Sequence, residues 1–175
     1  MPVYALGELV PEIDPDAYVH PDAVVIGSVS IAAEASIWPT AVLRGDFGRI
    51  VVGPRSSVQD GTVIHAGTDY ATVIGRSCVV GHNAYLEGCV IEDEALVGSM
   101  ASVLPHARIG AGAVVAAGAV VTAGTHVPSR AMALGVPVRI VADGAAGHDY
   151  AAGVQRYVDN ARRFATELRV VTGGG

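Results

Sequence analysis

Three residues in one short stretch of the chain have side chains that commonly bind metal ions. His65, His82 and Glu87 all lie between Thr62 and Cys89. Two imidazoles and one carboxylate form a zinc ligand set that leaves a fourth position open for water. A zinc ion held in this way lowers the pKa of its bound water from about 15.7 to roughly 7. The three residues therefore indicate a hydrating or hydrolytic metal centre, if the fold brings them together.

An aliphatic residue recurs every six positions along most of the chain, and this spacing predicts the fold. The longest regular run is Ile91, Val97, Val103, Ile109, Val115 and Val121. The spacing slips at Gly45–Ile50, at a four-residue insertion within 66–72, and between Leu86 and Ile91, where one residue is missing. A period of six fits neither a helix nor a hairpin meander, but it fits a solenoid with three short strands in each coil of about 18 residues. We predict an all-β solenoid, namely a left-handed parallel β-helix of hexapeptide repeats.

The six-residue spacing ends near Val121, and the last part of the chain has a different pattern. Apolar residues at spacings of three and four follow Asp149, which predicts an amphipathic α-helix. We therefore divide the chain into a left-handed β-helix domain with a short N-terminal lead-in (1–145) and a C-terminal helix that packs on it (146–172).

Composition excludes several classes of function. The chain of 175 residues has a net charge of -6, and its eleven basic residues are all arginines that do not cluster, so no nucleic-acid partner is expected. The absence of lysine excludes Schiff-base chemistry. No apolar run reaches the ~18–20 residues that cross a bilayer, and the N-terminus does not resemble a signal peptide, so we expect a cytoplasmic protein without a membrane partner. Cys78 and Cys89 are expected to be buried, reduced thiols.

Counting along the repeat predicts how the candidate ligands are arranged. Ile64 and Leu86 are one coil plus the insertion apart, so they should stack in one column. His65 and Glu87, which follow them, should then leave the same edge about 4.8 Å apart at the backbone. His82 belongs to another corner, so a neighbouring copy in a three-fold trimer would have to bring it to the other two. Each such site would lie between subunits.

Several motifs resemble the γ-class carbonic anhydrase family of left-handed β-helix trimers. They are LRGD, VQDGTVIH and GHNAYLEGC, and the likeness extends from about Pro11 to the C-terminal helix. The resemblance implies a zinc ion between subunits, with His65 as its first ligand and His82 as the ligand from the neighbour. The family's functional residues around the metal and at the interface match this chain at Arg44, Asp46, Gln59 and Asp60. We assign catalytic roles to Gln59, Arg44 and Asp46, and interface roles to Arg44 and Asp60.

The chain departs from this family at the third ligand. The family normally reads Leu-His-Gly-Cys, whereas this chain reads Leu86-Glu87-Gly88-Cys89. A carboxylate in place of a neutral imidazole adds negative charge to the metal, which should raise the pKa of its water and slow CO2 hydration. Iron or another divalent metal also suits a site with a carboxylate. Alternatively, Glu87 is a metal-free acid that pairs with an arginine.

The sequence thus predicts a zinc-dependent lyase in which metal-bound hydroxide attacks CO2 or a related small substrate. Two other classes of function stay open. One is a hexapeptide-repeat acyltransferase that uses an acyl-CoA donor and a histidine base. The other is a non-catalytic trimeric scaffold that has lost full zinc ligation.

Overall fold

The computed structural model describes residues 2–147 and 150–171, which form a parallel β-solenoid followed by one α-helix. In chain order the elements are β1 (Val3–Tyr4), β2 (Glu12–Ile13), β3 (Tyr18–Val19), β4 (Val24–Ile31), β5 (Ser36–Ile37), β6 (Val42–Val52), β7 (Ser57–Val58), β8 (Val63–His65), β9 (Thr72–Ile74), β10 (Val79–Val80), β11 (Tyr85–Glu87), β12 (Val90–Ile91), β13 (Leu96–Val97), β14 (Ser102–Val103), β15 (Arg108–Ile109), β16 (Val114–Val115), β17 (Val120–Val121), β18 (His126–Val127), β19 (Met132–Leu134), β20 (Arg139–Val141) and α1 (Ala151–Glu167).

The strands stack into three faces of a triangular prism. The first face contains β3, β5, β7, β10, β13, β16 and β19, with β20 pairing antiparallel to β19 at its end. The second contains the first halves of β4 and β6, then β8, β11, β14 and β17. The third contains the second halves of β4 and β6, then β9, β12, β15 and β18. This architecture confirms the predicted left-handed β-helix with a C-terminal helix.

The core is a stack of aliphatic side chains, one from each strand of a face. On the second face Leu43 pairs with Ile64, Ile64 with Leu86, and Leu86 with Val103. All four side chains are fully buried. Burying such a side chain contributes about 1.5–3 kcal/mol, so the repeated inward residue holds the coils together and also fixes their register. The stacking of Ile64 on Leu86 that the spacing predicted is confirmed.

The first slip in the repeat is a bulge between two long strands. The pairing of β4 with β6 jumps from Gly27 and Gly45 to Val29 and Ile50. A Cβ atom on Gly45 would lie 2.5 Å from the carbonyl oxygen of Ser28, so only glycine allows the strands this close approach. The extra residues Gly45–Ile50 are thereby taken up within β6, and Asp46 and Phe47 leave the regular ladder beside the end of β8.

Helix α1 packs on the first face, against β3, β5 and β7. Trp38 contacts the helix, with its ring centroid 5.2 Å from that of Phe164 and 6.4 Å from that of Tyr157. Its indole N–H is satisfied underneath by the hydroxyls of Ser57 at 2.9 Å and Ser36 at 3.1 Å. The predicted boundary between 1–145 and 146–172 stays a prediction, and residues 148, 149 and 172 lie outside the described residues. Within the described ranges, no helix is long and apolar enough to cross a membrane.

The insertion at 66–72 is held on the solenoid by one aromatic side chain. Gly67 and Tyr70 form an antiparallel bridge that closes the insertion on itself. The ring of Tyr70 lies edge-on to His106, with 5.0 Å between centroids. It also covers Gly88, where a Cβ atom would lie 2.1 Å from the ring. The insertion therefore rests on the corner just after Glu87.

We expect the Gly88→Ala substitution to destabilise the protein more than Gly118→Ala. Both glycines have positive φ, +57° and +67°, so each alanine costs about 1–2 kcal/mol of backbone strain. Only Gly88 has a neighbour in the way, because the space at Gly118 is open within 4 Å. The clash with Tyr70 should add about 1–3 kcal/mol, measured by urea unfolding. Equal losses in the two variants would show that Tyr70 does not rest on Gly88.

Candidate active site

The candidate residues leave the solenoid where strands of the second face end. Arg44, His65 and Glu87 are direct partners on β6, β8 and β11. Because side chains alternate along a strand and the residue before each of them is buried in the core, all three point outward. The predicted shared edge of His65 and Glu87 is confirmed by this pairing. Their role as metal ligands stays a prediction.

His65 lies between two carboxylates. Its Nε2 is 2.9 Å from Oδ1 of Asp46, and its Nδ1 is 3.2 Å from Oε1 of Glu87. The other oxygen of Asp46 accepts a hydrogen bond from the guanidinium of Arg44. The imidazole is largely buried, with 14% of the side chain exposed, whereas Phe47 beside it is 64% exposed. The four polar groups form one connected cluster with an apolar rim at Phe47.

Glu87 has a second partner on its own strand. The phenol of Tyr85 donates a hydrogen bond to Oε2 of Glu87 at 2.6 Å. This hydrogen bond, together with the hydrogen bond and charge of His65 and the charge of Arg44, lowers the pKa of Glu87 against the opposing effect of burial. In return, burial and the adjacent carboxylate raise the pKa of Tyr85 to about 12. Tyr85 is therefore a persistent donor and Glu87 a persistent anion.

Asp46 is an anion for related reasons. Burial opposes its ionisation, but hydrogen bonds from His65, from its own backbone amide and from Arg44, together with the charge of Arg44, lower its pKa. Two carboxylates and one guanidinium leave a net negative charge around His65. The cluster is thus suited to a cationic group.

His82 lies on a different corner of the prism, in the turn between β10 and β11. Its Nδ1 is 2.8 Å from Oδ2 of Asp60, and both side chains are about half exposed. Within one chain, the structure therefore separates His82 from the His65 cluster, as the spacing predicts. Among residues 2–147 and 150–171, no group of three or more His, Cys, Asp or Glu side chains is arranged to hold a metal ion. The predicted set of His65, His82 and Glu87 needs a second copy of the chain.

Gln59 is the remaining predicted site residue, and it lies at the same corner as His82. Its backbone N–H donates to the carbonyl of Val80, which puts it one coil from His82. Only 3% of Gln59 is exposed, and its amide nitrogen is buried without a hydrogen-bond partner in the described part of the chain. A buried amide without a partner is costly, so a ligand or a neighbouring chain is a natural partner for it.

Tyr85 belongs to this cluster, although the six-residue spacing did not predict it there. A signal was available, because Tyr85 precedes Glu87 by two residues on a strand and therefore faces the same side. Residues two apart on an outward face can contact each other, but the period of six by itself does not show which of them do.

Comparison with known proteins supports one family. The model of the family described as bacterial transferase hexapeptide (six repeats) matches residues 88–123. The carnitine operon protein CaiE of Escherichia coli O157:H7 is 43% identical over 141 residues, which cover 81% of this chain and 72% of CaiE. The CaiE protein of Salmonella agona is 40% identical over 141 residues, which cover 81% of this chain and 71% of the relative. The chain belongs to the CaiE group of hexapeptide-repeat proteins.

Solved structures agree with this family assignment. A proposed acetyltransferase of Bacillus cereus superposes with a TM-score of 0.90 at 29% identity, covering 95% of this chain and 98% of the other. A hexapeptide transferase family protein of Anaplasma phagocytophilum gives a TM-score of 0.86 at 30% identity, covering 93% and 98%. The predicted resemblance to γ-class carbonic anhydrases is confirmed at the level of the family, because the CaiE group is similar to them. The structural neighbours carry transferase descriptions, so the reaction itself is a separate question.

We expect both cysteines to be unreactive in the folded protein, which would exclude a thiol nucleophile next to the cluster. Burial raises the pKa of Cys78 to about 11 and that of Cys89 to about 12. At pH 8 the thiolate fraction is then roughly one in a thousand or less. Titration with Ellman's reagent should detect no fast-reacting thiol in native protein and both thiols in guanidinium chloride. A fast-reacting thiol in native protein would contradict this burial.

Proposed function

We propose that the chain is a γ-carbonic-anhydrase-like metalloenzyme whose sites lie between the subunits of a homotrimer. Its substrate is CO2 or a related small molecule. The observation that carries this proposal is the pairing of His65 with Glu87 on neighbouring strands, with a nitrogen and an oxygen 3.2 Å apart at a negatively charged edge.

The residues present fit a metal ion. Two ligands of a tetrahedral zinc ion with bonds of ~2.0–2.1 Å lie roughly 3.3 Å apart. His65 Nδ1 and Glu87 Oε1 are 3.2 Å apart, which matches the separation of two atoms that bind one ion. A zinc ion at such a site supplies a Lewis acid that makes water reactive near neutral pH.

Asp46 is suited to orient His65. When Nε2 donates its hydrogen to Oδ1 of Asp46 and a metal ion is bound, the lone pair of the imidazole lies on Nδ1, the atom that faces Glu87. A carboxylate behind a ligating histidine fixes its tautomer and raises its basicity. Arg44, which pairs with Asp46, holds that carboxylate in place and partly offsets its charge.

His82 of a neighbouring copy would complete the ligand set. Its Nδ1 is occupied by Asp60, so Nε2 is the atom available to a partner. The carboxylate of Asp60 would orient His82 as Asp46 orients His65. In each pair, the aspartate contacts the ring nitrogen that is not the proposed ligand atom. Gln59, whose buried amide nitrogen needs an acceptor, would lie at the same interface.

We expect the purified protein to contain about one divalent metal ion per chain and to have three times the mass of one chain in solution. Elemental analysis and light scattering measure these quantities. His65→Ala and His82→Ala should each lose the metal, because each removes one ligand. His126→Ala, which removes an exposed histidine of β18 on the third face, is the matched control and should retain it.

Two results would contradict this proposal. Metal-free protein that also takes up no added zinc, iron or cobalt would favour the scaffold. Metal that His82→Ala retains would place the ion elsewhere than between subunits.

Glu87→His is expected to hydrate CO2 faster than the wild-type protein. A neutral imidazole adds no negative charge to the metal, whereas a carboxylate does, so the metal in the variant would be a stronger Lewis acid. The pKa of the metal-bound water, and with it the pH midpoint of the rate, should therefore fall by about one unit. Stopped-flow measurement with a pH indicator provides the rate, and Glu94→His at an exposed corner is the control. A higher midpoint in Glu87→His would show that the charge of Glu87 does not limit the reaction.

Acyl transfer is the second candidate, because the two solved structures described above carry transferase descriptions at 29% and 30% identity. In that case His65, paired with Asp46, would act as a general base without a metal. Titration calorimetry of metal-free protein with coenzyme A separates the two functions. Saturable binding that competes with acetyl-CoA would favour the transferase, and its absence together with bound metal would favour the metalloenzyme.

A further inference from the structure

Tyr85 and Glu87 form a pair on the outward face of β11. The residue between them, Leu86, is fully buried, so the two side chains leave the same side of the strand. The phenol donates to Oε2 of Glu87 at 2.6 Å, a short hydrogen bond of the kind a charged acceptor makes. Tyr85 and Glu87 are also the only residues of β11 that face outward.

The two oxygens of Glu87 have different partners. Oε2 accepts from Tyr85, whereas Oε1 is 3.2 Å from Nδ1 of His65. With Oε2 held, only Oε1 is directed at the position where a shared ion would lie. A carboxylate without this hydrogen bond could rotate to bind an ion through both oxygens, or turn towards Arg44.

The backbone of Tyr85 is fixed on both sides. Its Cα partners are Val63 on β8 and Ser102 on β14, and its N–H donates to the carbonyl of Ala101 at 2.9 Å. The phenol is thus a donor on a rigid part of the scaffold. A rigid donor is what a precise ligand orientation requires.

The chemistry of the ligand explains why a donor is needed here. A histidine ligand has an N–H on its second nitrogen and needs an acceptor behind it, whereas a carboxylate ligand has a second oxygen and needs a donor. Tyr85 supplies that donor two residues before the glutamate. The tyrosine is therefore matched to a carboxylate at position 87.

We propose that Tyr85 is a positioning residue that makes Glu87 a metal ligand through one oxygen only. This inference rests on the proposed function, since it takes Glu87 as a ligand. It assigns to Tyr85 a role in the geometry of the site and no direct contact with the ion.

The test is cobalt binding to metal-stripped protein, followed by the visible absorption of the ion and by its dissociation constant. We compare wild-type protein, Tyr85→Phe, Glu87→Ala and the double variant. Tyr4→Phe, at an exposed tyrosine of the N-terminal lead-in, is the control. Melting curves of the metal-free variants check that each is folded.

We expect Tyr85→Phe to bind cobalt about 10-fold or more weakly, with an absorption band that is weaker and shifted as the carboxylate binds through both oxygens. In the Glu87→Ala background, Tyr85→Phe should not weaken cobalt binding further, because Tyr85 affects the ion only through the carboxylate of Glu87. Tyr4→Phe should match the wild type. This combination supports the positioning role, since a loss through folding alone would persist in the double variant.

Different results overturn the inference and the proposed function. If Tyr85→Phe binds cobalt with wild-type affinity and spectrum while Glu87→Ala loses affinity, Glu87 is a ligand and the role of Tyr85 is refuted. If Tyr85→Phe weakens binding equally with and without Glu87, the positioning role is also refuted. If the wild-type protein binds no cobalt at all, the proposed metalloenzyme fails and the inference fails with it.

Discussion

The structure depends on the stacking of one buried aliphatic side chain from each strand on that of the next coil. This contact repeats along all three faces and sets the register between coils to the residue. On the second face, Ile64 stacks between Leu43 and Leu86. Any slip by one residue would expose these side chains and bury their neighbours, which makes the register costly to change. His65 and Glu87 are adjacent because they follow stacked core residues, so the site is a consequence of the core.

The charges at this edge are mutually dependent. Asp46 and Glu87 would repel each other if they were alone, but the imidazole of His65 lies between them, with one ring nitrogen near each carboxylate. The guanidinium of Arg44 offsets the charge of Asp46, and the neutral phenol of Tyr85 donates a hydrogen bond to Glu87. The result is an ordered cluster that still has a negative balance. Such a balance favours a cationic group at this edge.

Much of the fold and part of the site could be predicted by counting residues. The pairing of Ile64 with Leu86, the extra residues at Gly45–Ile50 and the separate corner of His82 all follow from the six-residue spacing. In a solenoid, the number of residues between two positions determines the face on which each lies. The packing of Tyr70 on Gly88 could not be predicted in this way. It depends on the path of an insertion that has no repeat and on the space left by a residue without a side chain.

The amino-acid sequence by itself determined the coil, its register and the side of the prism from which each candidate residue leaves. The spacing of aliphatic residues can be counted directly along the sequence, so the positions of the buried residues can be predicted without knowing which distant residues are in contact. Only the tertiary structure decided which outward groups meet: Asp46 behind His65, and Tyr85 against one oxygen of Glu87. The physical reason is that outward side chains are not constrained by the core. Their directions are set by hydrogen bonds and charges among neighbours from different coils, and those neighbours come together only when the solenoid has closed.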